Sequence, residues 1–116
     1  LDALAYARQG GWRIAQLERA ATQIALRAWE VTGDREWLDR AAAAASRLVA
    51  ADPKGIESHV LAGDVAARTG DLQLAADRYN RAIDLSDYAY LDPNKQLAEQ
   101  EIARMESALG PGQSPQ

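Results

Sequence analysis

The chain lacks cysteine and phenylalanine, and histidine and methionine each occur once among its 116 residues. Without cysteine there is no disulfide framework and no thiol nucleophile, and the absence fits any redox compartment. The single histidine, His59, excludes a site built from paired histidines, and we expect it to be a partly buried packing residue. Because β-branched runs are scarce and alanine is abundant, the composition predicts an all-α chain.

Long apolar runs and basic clusters are also missing. No run approaches the roughly 20 apolar residues that span a bilayer, so we expect no membrane insertion of this region. The net charge is -4, with 8 basic and 7 acidic residues in 1–55 and 5 basic and 10 acidic residues in 56–116. Neither half offers a basic stripe, which argues against nucleic acid as a partner. Cytoplasmic and periplasmic locations both stay open.

Motifs for catalysis and cofactor binding are missing as well. The sequence has no GxGxxG or GxxxxGK[ST] phosphate loop, and Gly10-Gly11 indicates a break between helices. The acidic residues of 99–106 are typical of a solvated helix face. We therefore expect no enzyme, no metal site and no bound cofactor.

Helical periodicity and turn residues divide the chain into helices. The predicted ranges are 1–9, 12–32, 35–51, 56–69, 72–85 and 93–109, followed by a tail over 110–116. Gly33 should end the long helix, and Asp34 should cap the next one. Asp52-Pro53-Lys54-Gly55 is a predicted turn, Ser86 to Leu91 a predicted connection, and Asp92-Pro93 a predicted helix start.

Each helix carries an apolar face. On the long helix, spacings of three and four place one stripe over Ile14, Leu17, Ala21, Ile24, Ala25 and Ala28. The inward face of 35–51 would carry Trp37, Leu38, Ala41, Ala44, Ala45, Leu48 and Val49, and the seam of the last helix Leu97, Ala98, Ile102, Met105 and Leu109. We expect Trp29 and Trp37 to lie in the core, because both continue these apolar patterns, and we expect Trp12 to be exposed.

Helices 56–69 and 72–85 face each other across Thr69-Gly70-Asp71. Gly70 can take the left-handed conformation that ends the first helix, and Asp71 can cap the second. Small residues recur on the facing sides, where the helices can approach closely: Ala62, Gly63, Ala66, Ala75 and Ala82. A shift of 34 residues aligns Leu38 with Leu72 and Ala41 with Ala75. A helical hairpin that recurs at this period is typical of an α-solenoid.

Residues 56–85 resemble a tetratricopeptide repeat. The positions that match the family's pattern are Gly63, Gly70, Asp71, Leu72, Ala75, Tyr79, Ala82 and Leu85. The sequence departs from it at His59, Ala66 and Asp87, where the family favours tryptophan, an aromatic residue and proline. Residues 19–53 resemble a second, degenerate copy, in which Trp29, Ala41 and Pro53 match and Leu26 replaces the usual small residue.

The resemblance implies one domain over 1–109, a short superhelix of antiparallel helix hairpins. Its parts would be an N-terminal helical segment (1–18), a degenerate repeat (19–53), a repeat (56–87) and a capping helix (93–109). Such a fold implies a non-catalytic module that binds a peptide or protein segment in a concave groove lined by the first helices. By the same resemblance, the groove residues would be Gln23, Arg27, Glu30, Val31, Glu57, Val60, Asp64, Ala67 and Arg68.

Two other hypotheses remain open. The chain could be a structural domain that self-associates as a homo-oligomer within a larger bacterial protein, with or without a membrane anchor. At least three repeats normally make a stable stack and two are visible, while a start at Leu1 without methionine suggests a fragment or a processed form. Leu26–Val49 also resembles hairpins of (α/α)6-barrel sugar enzymes. A closed barrel of that kind needs about a dozen helices, more than this length supplies.

Overall fold

The computed structural model describes residues 3–88 and 97–110, which form five α-helices and, within those ranges, no strand. Helix α1 spans Ala3–Thr32, α2 Arg35–Ala51, α3 Ile56–Thr69, α4 Leu72–Tyr88 and α5 Glu99–Leu109. Consecutive helices from α1 to α4 pack against each other, and α5 contacts both α3 and α4. The all-α class predicted from the composition is confirmed.

The interior consists of two apolar clusters. The first cluster joins α1, α2 and α3 through Ala25, Leu26, Leu38, Ala41, Ala45, Val49, Ala62 and Val65. The second cluster joins α3, α4 and α5 through Val60, Ala66, Ala75, Tyr79, Ala82, Ile83, Met105 and Leu109. Trp29 and Trp37 pack at the edge of the first cluster and are half-buried, so they belong to the core only in part. Trp12 is exposed, as predicted.

Local capping residues set most of the helix boundaries. The Asp34 carboxylate accepts a hydrogen bond from the Glu36 amide at 3.0 Å, and the Asp71 carboxylate accepts one from the Leu74 amide at 3.1 Å. Gly70 has φ 89 and Gly33 has φ 71, the left-handed region that glycine enters at little cost. The predicted caps of α2 and α4 and the predicted ends of α1 and α3 are therefore confirmed.

Helices α3 and α4 approach most closely where Gly63 meets the ring of Tyr79. A Cβ atom added at Gly63 would lie 2.6 Å from Cδ1 of Tyr79, far inside van der Waals contact. Ala75, Tyr79 and Ala82 on the facing side of α4 are fully buried, each with 0% exposure. The absent side chain at position 63 thus makes room for Tyr79, the largest fully buried side chain among the described residues.

Three predicted boundaries are wrong. Helix α1 runs through Gly10-Gly11 without a break, because a helical glycine costs only about 1 kcal/mol relative to alanine and good helix formers flank the pair. Helix α4 continues past residue 85 to Tyr88. Helix α5 starts at Glu99 and not at 93, since Leu97 and Ala98 are not helical. The predicted Asp92-Pro93 cap and the tail over 111–116 lie outside the described residues.

A hydrogen bond also joins the end of α4 to the residues just before α5. The Ser86 hydroxyl accepts a hydrogen bond from the Leu97 amide at 2.6 Å, and Ser86 itself is buried within α4. This contact fixes the chain just before α5 begins. A serine near the end of a helical pattern gave no local sign of such a partner.

The apolar stripe predicted on α1 is mostly exposed. Ile14, Leu17 and Ile24 are 53%, 71% and 66% exposed. The side that packs against α2 is a neighbouring one, with Ala15, Thr22, Ala25 and Leu26 buried. Helix α1 therefore has two apolar sides, and only the less apolar one is covered.

His59 is a buried packing residue, more deeply buried than predicted, with 4% exposure. Its Nε2 lies 2.8 Å from the Pro53 carbonyl oxygen and donates to it, which leaves Nδ1 buried with no partner among the described residues. Burial lowers the pKa of His59, repulsion from Arg78 and Arg81 lowers it further, and the Pro53 hydrogen bond and Asp52 oppose the shift. The folded domain therefore releases the proton of this imidazole at a lower pH than an exposed histidine would.

We expect acidification to weaken the fold through this group. Above the ordinary histidine pKa of 6.5, both the folded and the unfolded chain carry neutral His59. As pH falls below that value the unfolded chain binds the proton first, so the free energy of unfolding falls by up to about 1.4 kcal/mol per pH unit. Urea unfolding between about pH 7.5 and pH 5 measures the slope. His59→Gln keeps a donor for the Pro53 carbonyl oxygen and should reduce this pH dependence of the free energy of unfolding. Equal slopes for the two proteins would contradict the assignment of the pH dependence to His59.

Candidate peptide-binding groove

The predicted groove residues of α1 all lie on its surface. They are Gln23, Arg27, Glu30 and Val31, with Val31 at 72% exposure. The Glu30 carboxylate lies 3.7 Å from a guanidinium nitrogen of Arg27 and 3.7 Å from one of Arg68 on α3. Glu30 therefore connects the two helices that were predicted to form the groove.

The predicted residues of α3 differ in their environments. Glu57 and Arg68 are exposed, Asp64 and Ala67 are half-buried, and Val60 is 9% exposed and belongs to the second cluster. Val60 therefore offers little surface to a partner. Arg68 is positioned from its own helix, because its Nη1 donates to the Asp64 carbonyl oxygen at 3.2 Å.

Helix α5 lies over the part of α3 that contains Val60 and Asp64. A cleft of about 280 Å³ separates the two helices, lined by Glu57, Val60, Leu61 and Asp64 of α3 and by Leu97, Glu101 and Arg104 near or on α5. Seven of the nine predicted residues thus fall into two sets. Arg27, Glu30, Val31 and Arg68 lie away from α5, whereas Glu57, Val60 and Asp64 face it.

Asp64 is engaged within the chain. Its carboxylate accepts hydrogen bonds from Arg104 at 3.0 and 3.3 Å and from the Tyr79 hydroxyl at 2.6 Å. Arg104 also donates to Glu101 at 2.6 and 3.1 Å, and this hydrogen bonding lowers the pKa of Glu101. Burial, followed by the Asp64 contact, raises the pKa of Tyr79. Asp64 therefore serves first to hold α5 and α4 to α3.

Sequence reasoning missed the partners of Asp64. The sequence places Glu101 on a solvated helix face, and Tyr79 matches the repeat pattern as an aromatic ring. Two signals were available: a buried tyrosine needs a partner for its hydroxyl, and Glu101 and Arg104 are spaced to pair on one helix face. Neither signal identifies Asp64, which precedes Arg104 by 40 residues.

Residues 3–88 and 97–110 hold neither a metal-binding cluster nor a membrane-spanning helix. No group of three or more His, Cys, Asp or Glu side chains in these ranges is arranged to hold a metal ion. No helix within them combines the length and the apolar composition that crossing a membrane requires.

Comparisons with protein-family models, with curated proteins and with solved structures returned no significant match. The tetratricopeptide resemblance therefore depends on residues of this sequence alone.

Proposed function

We propose that the chain is a non-catalytic interaction module, a short tetratricopeptide-like superhelix that binds a peptide or protein segment along α1 and α3. The observation that carries the proposal is the contact of Glu30 with both Arg27 and Arg68, which joins the exposed surfaces of the two helices. The half-buried Ala67 provides a small apolar surface next to Arg68.

The charges on this surface favour a partner segment with an acidic side chain. Both distances to Glu30 are 3.7 Å, longer than a hydrogen bond, and the Arg27 side chain is 79% exposed. Exposed ion pairs of this kind contribute about 0–1 kcal/mol, so an incoming carboxylate can replace Glu30 at little cost. A guanidinium can then bind that carboxylate through two parallel hydrogen bonds.

The apolar surface beside these charges defines the rest of the partner. Ala67 lies one residue before Arg68 and is half-buried, whereas Val31, one residue after Glu30, lies on the side of α1 that turns away from α3. A small aliphatic side chain next to the partner's acid would pack on Ala67 while the acid binds the arginines. The proposed ligand is therefore an acidic-aliphatic segment, and no chemical step is proposed on it.

Selection from a phage-displayed peptide library tests this proposal. We expect enriched peptides to combine an acid with an aliphatic residue and to bind more weakly as salt increases. Arg27→Ala/Arg68→Ala should lower their affinity at least about tenfold by fluorescence anisotropy. Arg35→Ala/Arg81→Ala removes the same charge from exposed sites elsewhere and serves as the matched control.

The far-UV circular dichroism of both variants should equal that of the parent chain, because the replaced side chains are exposed. Enrichment of peptides without acids, or equal affinity for the two double variants, would contradict binding at this surface.

A further inference from the structure

Five of the six large apolar side chains exposed among the described residues lie on α1: Trp12, Ile14, Leu17, Ile24 and Val31. With Ala21 and Ala28, the last four form a stripe at alternating spacings of three and four, from Ile14 to Val31. We name this set the α1 stripe. Such spacing is that of a helix that packs along a second helix, as in a coiled-coil seam. An exposed stripe of this size on a small domain marks an interaction surface.

The α1 stripe lies on the side of α1 opposite to α3. The side chains of α1 that contact α3 are Arg19, 3.2 Å from the Ser58 hydroxyl, and Glu30, near Arg68. At 100° per residue, Arg19 and Glu30 lie nearly half a turn from the stripe. The α1 stripe therefore lies at the uncovered end of the helix array, which we call the open end, whereas α5 covers the other end.

A groove between α1 and α2 continues this open end. It has a volume of about 390 Å³ and is lined by Ala21, Ile24 and Ala25 of α1 and by Trp37, Arg40, Ala43, Ala44 and Arg47 of α2. Both arginines already have acidic partners, because Arg40 lies 2.8 Å from Glu36 and Arg47 lies 3.0 Å from Glu18. Covering the groove would therefore leave neither cation unpaired.

We infer that this open end binds the same surface of a second copy of the chain, with the two α1 helices antiparallel. The two ends of the array differ, since α5 exposes no large apolar side chain among its described residues. Head-to-tail addition would place the stripe against that polar surface. Pairing of the stripe with itself is isologous and closes at a dimer.

The order of side chains along the stripe fits the antiparallel arrangement. A two-fold axis at the midpoint between Thr22 and Gln23 sets Leu17 against Ala28 of the second copy and Ile24 against its Ala21. Leu17 and Ile24 then each meet an alanine, as dense packing requires, and Ile14 meets Val31 at the two ends of the seam. A parallel pair would instead stack Leu17 on Leu17 and Ala21 on Ala21, which alternates crowding with gaps.

The same axis also accounts for the groove. Two-fold symmetry perpendicular to α1 keeps both α2 helices on one side of the seam, so the two grooves cover each other. A parallel pair would place the α2 helices on opposite sides and leave both grooves open.

Antiparallel pairing also brings Arg13, near the start of the stripe, towards Asp34 of the second copy, which has the opposite charge. The proposed dimer is therefore a four-helix assembly of two α1 and two α2 helices.

Light scattering coupled to size exclusion tests the dimer. We expect a mass twice the 12.6 kDa of the chain, and 12.6 kDa for Leu17→Glu/Ile24→Glu. Leu74→Glu is the matched control, since Leu74 is 39% exposed on α4, outside the stripe, and its variant should remain a dimer. A monomeric parent chain at high concentration would overturn the proposal, as would a dimer that survives Leu17→Glu/Ile24→Glu.

Disulfide trapping tests the orientation, because the chain has no cysteine of its own. Ile14→Cys mixed with Val31→Cys should form a mixed disulfide under mild oxidation, and Ile14→Cys alone should not cross-link. Cross-linking of Ile14→Cys with itself, or no mixed disulfide, would overturn the antiparallel arrangement. Arg27→Ala/Arg68→Ala should remain a dimer, so failure of the peptide-binding proposal and failure of the dimer are distinguishable.

Discussion

Replacement of Tyr79 by alanine is expected to lower the free energy of unfolding by about 3–5 kcal/mol, the usual cost of deleting a buried aromatic ring. Tyr79 is fully buried at the centre of the second cluster, its ring lies against Gly63, and its hydroxyl donates to Asp64 at 2.6 Å. Urea unfolding followed by far-UV circular dichroism measures the loss. A loss of this size is a large fraction of the free energy of unfolding of a typical domain, which is roughly 5–15 kcal/mol.

Two matched substitutions separate the ring from the hydroxyl. Tyr79→Phe keeps the ring and removes one donor to a carboxylate that Arg104 still binds, so it should cost about 1–3 kcal/mol. Leu74→Ala truncates an exposed side chain of α4 and should change stability by no more than about 0.5 kcal/mol. If Tyr79→Ala costs no more than Leu74→Ala, Tyr79 is not the centre of the second cluster.

Gly63→Val is expected to destabilise the domain by about 3 kcal/mol or more, because the added carbons overlap the Tyr79 ring. Even the first of them, Cβ, would lie 2.6 Å from Cδ1 of Tyr79. Gly63→Ala is the more informative substitution, because its effect on stability should have the opposite sign to the usual one. Alanine in a helix interior normally stabilises relative to glycine by about 1 kcal/mol, whereas here it should destabilise. The same urea titration measures both variants.

A double-mutant cycle provides the control for this steric explanation. In a Tyr79→Leu background the ring is absent, so Gly63→Ala should cost much less than it does in the parent chain. Equal costs in the two backgrounds would show that Gly63 is required for a reason other than contact with Tyr79.

The features that the sequence predicted well are encoded by neighbouring residues. Asp34 and Asp71 accept hydrogen bonds from amides within about four positions, and Gly70 ends α3 through its own left-handed conformation, so each turn could be derived from a short stretch of chain. The α3–α4 contact was also predictable, because its small residues and its hairpin turn occur together in residues 56–85.

The features that the sequence did not predict depend on small differences or distant partners. Gly10-Gly11 adds about 2 kcal/mol to the cost of a long helix, which the surrounding helical residues outweigh. A hydrogen bond between Ser86 and Leu97 holds the chain before α5 to α4, and Arg104 binds the Asp64 carboxylate. These pairs are 11 and 40 residues apart, beyond the reach of local periodicity.

The sequence also did not predict which of the two apolar sides of α1 packs against α2. Periodicity alone favours the stripe with Leu17 and Ile24, yet α2 covers the side with Thr22 and Leu26. Thr22 on the covered side can be fully buried, because its hydroxyl donates to the Glu18 carbonyl oxygen at 2.7 Å and needs no partner outside α1. Hydrophobicity identifies both sides but does not say which one a given neighbour will cover.

Helix α3 contributes to both clusters, with Ala62 and Val65 in the first and Val60 and Ala66 in the second. Loss of α1 and α2 would open one side of α3 to water, and loss of α4 and α5 would open the other. Neither half of the domain keeps a closed core without this helix. The cooperativity of unfolding therefore resides in α3, and the domain should melt as one unit although its chain is organised as successive hairpins.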